Sequence, residues 1–216
     1  VRQSGFTGGA INAITKSGTN KFHGSAYYYG YNQDLIGTKY PYLDGTGYAP
    51  KYQKQTQYNM GVTLGGPIIK NKLFFFANYE RTNKEYPNLY GVDSGNSKVN
   101  TEQAKDILTM LQKIAEKQGV NFNDYYSNQD IYTKSDKAGL KLDWNINEFN
   151  KFAIRWSLVK AEQLSGGGSA SSLNSYGYSY PFKSNTNSFI AELQSRFSPS
   201  VSNEARVSFV RVRDSR

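Results

Sequence analysis

The sequence predicts an all-β protein built from antiparallel hairpins, and three observations support this fold class. Apolar and polar residues alternate along several stretches, which is the two-residue period of a β-strand. Very short turns alternate with long polar loops along the chain. No apolar run approaches the roughly 18 to 20 residues that a membrane-spanning helix needs. We therefore expect about seven strands in total, with any membrane crossing made by strands.

The strands can be placed from the alternation. A first strand is expected at residues 21–31, and three hairpins follow it. These hairpins pair 58–64 with 73–79 around the turn 65–72, 138–145 with 152–158 around 146–150, and 189–197 with 204–209 around 198–202. The intervening loops, about 32–54, 83–133 and 165–185, are much longer than the turns.

The alternation alone is typical of two fold classes. A soluble sandwich alternates because one face of each sheet covers a core and the other meets water. A membrane barrel also alternates, and it has short turns at one end, long loops at the other and large residues near its ends. The apolar runs carry such large residues near the short turns: Phe22, Leu73, Trp144, Phe152 and Phe197. These features favour the barrel, but the soluble class stays open on pattern alone.

The second loop contains a predicted helix near residues 101–118. Asn100 and Gln103 have the spacing of a capping box, and Gly119 is a typical helix end. The apolar residues between them form one stripe: Ala104, Ile107, Leu108, Leu111, Ile114 and Ala115. We expect this stripe to pack on its own loop or on the rim of the sheet.

Composition excludes several functions for these 216 residues. There is no cysteine and His23 is the single histidine, so no cysteine or histidine metal cluster, disulfide scaffold or Ser-His-Asp triad is expected. The net charge of +9 is dispersed, which argues against nucleic-acid binding. We predict no catalytic residue, no metal and no cofactor. Cross-strand ion pairs explain the strand carboxylates Asp143, Glu192 and Glu204 beside Arg155, Arg196 and Arg206.

Two long motifs carry a resemblance to a known family. The first runs from Gly8 through a Thr15–Thr19 turn to Tyr28, and the second from Leu64 to Phe76. Together they resemble TonB-dependent outer-membrane receptors, particularly the Oar-like branch. In that family the first motif joins the plug to barrel strand one, and the second is the turn between strands two and three. The resemblance is strong from Gly8 to about Tyr79.

The resemblance implies a transmembrane antiparallel β-barrel in a Gram-negative outer membrane, with the turns periplasmic and the loops external. Residues 1–17 would end the plug, and residues 18–216 would form the N-terminal part of the barrel, an incomplete portion of about 22 strands. We expect that such a piece alone does not insert stably. The implied junction residues are Gly8, Gly9, Asn12, Thr15, Lys16 and Gly18, and the lumen-lining candidates are Asn78, Glu80, Lys141, Asp143, Arg155, Glu192, Arg196 and Arg206.

The implied function is energised uptake of a large or scarce solute. The implied partners are outer-membrane lipid, the inner-membrane TonB complex acting through the missing plug region, and an unknown solute. The first loop supplies candidate ligand contacts: Tyr40, Tyr42, Tyr48 and Tyr52. The alternatives are an outer-membrane structural or adhesive barrel protein and a soluble carbohydrate-binding β-protein. The substrate class is open.

Overall fold

The structure is a computed structural model that describes residues 15–36, 54–88, 90, 101–119, 130–166, 169, 171–172 and 179–216. The described residues form seven strands and one α-helix, so the predicted all-β fold class is confirmed. The elements are β1 His23–Asn32, β2 Thr56–Ile69, β3 Leu73–Pro87, α1 Thr101–Lys117, β4 Asp130–Asn145, β5 Asn150–Ser165, β6 Tyr180–Arg196 and β7 Ser202–Ser215. A single turn of 3₁₀-helix, Gln33–Leu35, follows β1.

All seven strands lie in one antiparallel sheet in sequence order, β1 to β7. Each strand therefore pairs with its neighbour in the chain. Within the described residues the sheet is open, with β1 and β7 at its two edges. Short turns join β2 to β3, β4 to β5 and β6 to β7 at one end of the sheet, which we call the turn end. The strand ends that lead into the longer connections all lie at the other end, which we call the loop end.

The predicted turn at residues 65–72 is wrong in extent, because β2 continues to Ile69. Only residues 70–72 form the turn, where Asn71 has φ 62°. Gly66 pairs with Phe75, and the register shifts between Pro67 and Ile69. Glycine and proline predict a turn locally, but cross-strand pairing keeps this stretch extended. The third turn also differs slightly, because Phe197 follows the end of β6 rather than belonging to the strand.

The strands also extend further toward the loop end than the apolar period predicts. β3 continues to Pro87, β4 starts at Asp130 and β6 at Tyr180. In these extensions charged residues replace apolar ones, as where Arg81 pairs with Asp136. The hydrophobic alternation is lost there, although the hydrogen-bonded ladder continues.

The sheet has two distinct faces, which follow from the register. The apolar face carries a continuous row across six strands: Leu64, Ala77, Leu140, Trp156, Phe189 and Phe209. The polar face carries the next row: Gly65, Phe76, Lys141, Arg155, Ile190 and Ser208. Phe189 is 45% exposed and Phe209 59% exposed, so no second layer of the described chain covers the apolar face. This single-layer wall differs from a sandwich, whose apolar faces pack together.

Helix α1 holds the buried hydrophobic side chains of the described residues, namely Ala104, Leu108 and Ala115. The predicted end is also present, since Gly119 has φ 66°. Ile107 on the same stripe is half exposed. The predicted cap residue Asn100 lies outside the described residues. Within the part of the chain that is described, no helix has the length and apolarity to span a membrane.

Candidate functional site: the leading segment and the polar face

The residues ahead of β1, which we call the leading segment (residues 15–22), begin on the polar face of the sheet. Arg155 on β5 donates from Nη1 to Thr15 Oγ1 at 3.5 Å. Lys141 on β4 donates from Nζ to Ser17 Oγ at 2.7 Å. These partners are 140 and 124 residues away in sequence, so the contacts depend on the folded sheet. The segment therefore crosses the polar face from β5 toward β2.

Gly18 makes the closest approach of this segment to the sheet. A Cβ on Gly18 would overlap the carbonyl oxygen of Phe75 and lie 2.8 Å from that of Gly66. A Cβ on Gly65 would in turn lie 3.6 Å from Gly18 Cα. The Gly18 backbone therefore packs directly against the backbone of β2 and β3, at a distance that only glycine allows here.

The leading segment then passes round the turn end of the sheet. Asn20 Nδ2 donates to Asn71 Oδ1 at 2.5 Å, and the Asn71 backbone N–H donates to Asn20 Oδ1 at 2.7 Å. Phe22 reaches the apolar face, where its ring centroid is 6.3 Å from that of Phe75. The chain thus begins on one face of the sheet and enters β1 at the turn end.

An open groove of about 330 Å³ lies beside this segment on the polar face. Lys16 and His23 line it together with Ser25, Thr63 and Phe76. The lining mixes one cation, one imidazole and four hydroxyls, which include those of Ser17 and Thr19. No set of three or more His, Asp or Glu side chains in the described ranges is arranged to hold a metal ion.

A hydrogen-bonded network spans four strands further along the polar face. Tyr27 on β1 donates its hydroxyl to Glu80 Oε2 at 2.6 Å, and Lys137 Nζ lies 2.7 Å from Glu80 Oε1. Tyr27 reaches across β2 because Gly61 leaves room, since a Cβ there would lie 2.6 Å from the Tyr27 ring. Glu80 therefore accepts hydrogen bonds from Tyr27 on one side and from Lys137 on the other. Its negative charge is paired with the positive charge of Lys137.

Ion pairs also occur nearer the turn end of the polar face. Arg206 Nη2 lies 2.6 Å from Glu192 Oε2 and 3.3 Å from Glu204 Oε1, so this predicted ion-pair group is present. The ion pair of Asp143 lies within one strand rather than across strands. Asp143 lies 3.0 Å from Lys141, its neighbour two residues along the same strand.

The register places all eight predicted lumen residues on this one polar face: Asn78, Glu80, Lys141, Asp143, Arg155, Glu192, Arg196 and Arg206. Arg196 stands over the ring of Phe149, at 5.7 Å from its centroid. Their role as lumen lining stays a prediction. Thr15, Lys16 and Gly18 are described, whereas Gly8, Gly9 and Asn12 and the four loop tyrosines Tyr40, Tyr42, Tyr48 and Tyr52 lie outside the described residues.

The comparison with known families decides between the two fold classes that alternate in sequence. The outer membrane beta barrel domain matches residues 14–96 and again residues 83–216. The chain belongs to this outer-membrane β-barrel family. An outer-membrane β-barrel domain contacts lipid and lies in the Gram-negative outer membrane, as the sequence resemblance implied.

One curated relative is informative about the wider protein. Over 74 residues, 34% of this chain, the sequence is 46% identical to the TonB-dependent transporter Oar of Myxococcus xanthus. The match spans 7% of that protein, far less than two thirds of its length. No solved structure matches the chain. Both similarities are to a membrane barrel or a transporter, and neither is to an enzyme.

Sequence reasoning missed two members of the polar-face network of this outer-membrane β-barrel. Tyr27 and Lys137 were not predicted, because their partner Glu80 is 53 and 57 residues away. A signal was nonetheless present. Tyr27 pairs directly with Gly61, and an aromatic ring opposite a strand glycine covers the bare backbone.

Proposed function

We propose that this chain is part of the wall of a TonB-dependent outer-membrane transporter that mediates energised uptake of a large or scarce solute. Residues 1–17 would complete its plug domain and residues 18–216 would form the N-terminal part of its barrel. The similarity to the transporter Oar supports the class. The geometry of the leading segment is the structural observation that supports the plug-to-wall connection.

The leading segment lies on the face that a plug would occupy. Its contacts with Lys141 and Arg155 hold Ser17 and Thr15 over the polar face. In a barrel whose apolar side meets lipid, the polar face lines the lumen. A chain that enters β1 from the lumen side, at the turn end, fits a plug followed directly by the first wall strand.

The polar-face residues suit this role chemically. Glu80, Glu192 and Asp143 each lie beside a basic side chain. Paired charges that remain partly exposed are stable in a hydrated space and provide polar contacts for a plug. On the apolar side of a wall they would be costly, because lipid cannot solvate them.

The assignment of the faces is tested by cysteine labelling in the full-length protein, within intact outer membranes. Ser157 and Trp156 are adjacent on β5 and lie on opposite faces. We expect Ser157→Cys to react with a water-soluble maleimide and Trp156→Cys to react only with a lipid-soluble one. The reverse pattern, or equal reaction of both, would contradict the proposed lumen.

Energised transport is tested by genetics rather than by labelling. Strains lacking this protein or lacking the TonB complex are grown on a panel of iron chelates, glycans and peptides as limiting nutrients. Transport predicts that both strains share a growth defect on at least one nutrient. If growth is normal on every nutrient and only surface attachment is lost, the adhesive alternative is correct and transport is wrong.

A further inference from the structure

The apolar face ends abruptly toward the loop end of the sheet. On β5 the apolar residues Trp156 and Leu158 are followed on the same face by Lys160. On β7 Phe209 is followed by Arg211 and then Arg213. Three adjacent rows beyond Leu64 and Phe209 contain six basic and two acidic side chains on this face: Arg81, Lys134, Lys160, Lys183, Arg211 and Arg213 with Asp136 and Glu162.

Both acidic groups in these rows are already engaged by the protein. Asp136 lies 3.3 Å from Arg81 Nη1 and accepts the Tyr79 hydroxyl at 2.5 Å. Glu162 lies 3.7 Å from Lys183 Nζ and accepts the Tyr132 hydroxyl at 2.7 Å. The acids therefore pair with one cation on β3 and one on β6, which leaves four cations of these rows without an ion pair among the described residues. One of the four, Lys134, stands over the Tyr132 ring at 4.6 Å from its centroid.

Three cations, which we call the basic patch (Lys160, Arg211 and Arg213), have no acidic group within ion-pair distance among the described residues. Lys160 and Arg213 both pair with Asn185 across neighbouring strands, from opposite sides. Asn187 donates to Asn185 Oδ1 at 3.0 Å, so the Asn185 amide oxygen is engaged within the sheet. All three cations of the patch are exposed. Asp136, which is opposite Lys160 in the register, pairs with Arg81 instead.

An isolated cation is costly in the hydrocarbon region at the bilayer midplane and costs little near the interface. Unpaired cations on the lipid-facing side are therefore stable only where the headgroups begin. At that level phosphate groups are the strongest available partners, because charge-assisted hydrogen bonds to phosphate suit both Arg and Lys.

We propose that the basic patch binds the phosphate groups of a lipid in the membrane leaflet on the loop side. The acyl chains of this lipid lie along the apolar residues directly below, Leu158 and Phe209. This inference depends on the membrane location and on the direction of the apolar face, and it is independent of whether the protein transports a solute.

The test measures phosphorylated lipid that copurifies with the full-length protein extracted from outer membranes in a mild non-ionic detergent. The variant Lys160→Gln/Arg213→Gln removes two patch charges. The matched control Lys84→Gln/Lys151→Gln removes two charges from the polar face. Each patch charge removed is expected to weaken lipid retention about fivefold, whereas the control should retain wild-type amounts of lipid.

Further arms identify the source of the phosphate and guard against misfolding. A wash with excess inorganic phosphate should leave the lipid bound, and complete displacement would show a free-anion site and overturn the proposal. Lys160→Arg should retain lipid. If the double variant does not assemble, the wild-type protein is washed at low and at high salt instead, and the lipid that stays bound is compared. The proposal predicts that less lipid is retained at high salt. The proposal is overturned if the amount of bound lipid does not depend on salt. It is also overturned if the patch variant and the control variant lose equal amounts of lipid.

Discussion

Asn20 and Asn71 form two hydrogen bonds with each other although 51 residues separate them in the chain. The pair joins the leading segment to the turn between β2 and β3. Asn71 also has the positive φ that this turn requires. One asparagine therefore serves both as turn residue and as anchor, because asparagine tolerates the left-handed region better than other side chains.

This double role predicts different effects for two substitutions. Asn71→Ala should destabilise the full-length protein by about 1 to 2 kcal/mol more than Asn71→Gly, because alanine is strained at φ 62°. Both variants lose the hydrogen bond that Asn20 Nδ2 donates to the Asn71 side chain. Both keep the one that the backbone N–H of this position donates to Asn20 Oδ1. Urea unfolding followed by tryptophan fluorescence would measure the difference. Equal midpoints for the two variants would show that the turn relaxes.

Gly18 should tolerate no side chain. Gly18→Ala places a methyl group against the backbone carbonyls of Phe75 and Gly66, which cannot move independently of the sheet. We expect the leading segment to lift from the polar face, at a cost of about 1 to 3 kcal/mol. Limited trypsin cleavage after Lys16 would then become faster in the full-length protein.

Gly24→Ala provides the control for this substitution. Its methyl group would meet Thr63 carbonyl oxygen at 3.2 Å and the flexible Leu64 Cδ1 at 3.7 Å, a milder crowding. Cleavage after Lys16 should stay close to the wild-type rate. Similar acceleration in both variants would mean that the Gly18 contact does not hold the segment.

The two faces of β5 should respond oppositely to a new charge. Ile154→Lys introduces a cation among Leu142 and Ala191 on the apolar face and should cost about 2 to 4 kcal/mol of stability in the membrane. Ala153→Lys lies between Asp143 and Glu192 on the polar face and should be tolerated. The measurement is the amount of folded, heat-modifiable protein in outer membranes. Loss of Ala153→Lys alone would reverse the assignment of the faces.

The Tyr27–Glu80–Lys137 network predicts a modest stability effect. Tyr27→Phe removes the 2.6 Å hydrogen bond to Glu80 and should cost about 1 kcal/mol, since Lys137 still pairs with the carboxylate. Gly61→Ala should cost at least as much, because the added methyl displaces the Tyr27 ring. In a double-mutant cycle by urea unfolding, the two effects should be less than additive. Full additivity would show that Gly61 does not position Tyr27.

The sequence predicts the strands and their faces well where residues such as Trp156 and Ser157 alternate. It fails where a local signal opposes a distant one. Gly65 and Gly66 indicate a turn locally, but their partners Phe76 and Phe75 keep them extended. The Asn20–Asn71 pair and the Tyr27–Glu80 bond were also beyond prediction, since both require the register between distant strands.

The leading segment has a mechanical consequence. Its contacts succeed one another along the chain, from Thr15 with Arg155, through Ser17 with Lys141, to Asn20 with Asn71. A tensile force applied ahead of Thr15 would load these contacts one after another rather than all at once. The contact of Thr15 would break first and the Asn20–Asn71 pair last. The strands of the sheet would bear no load until the leading segment had detached.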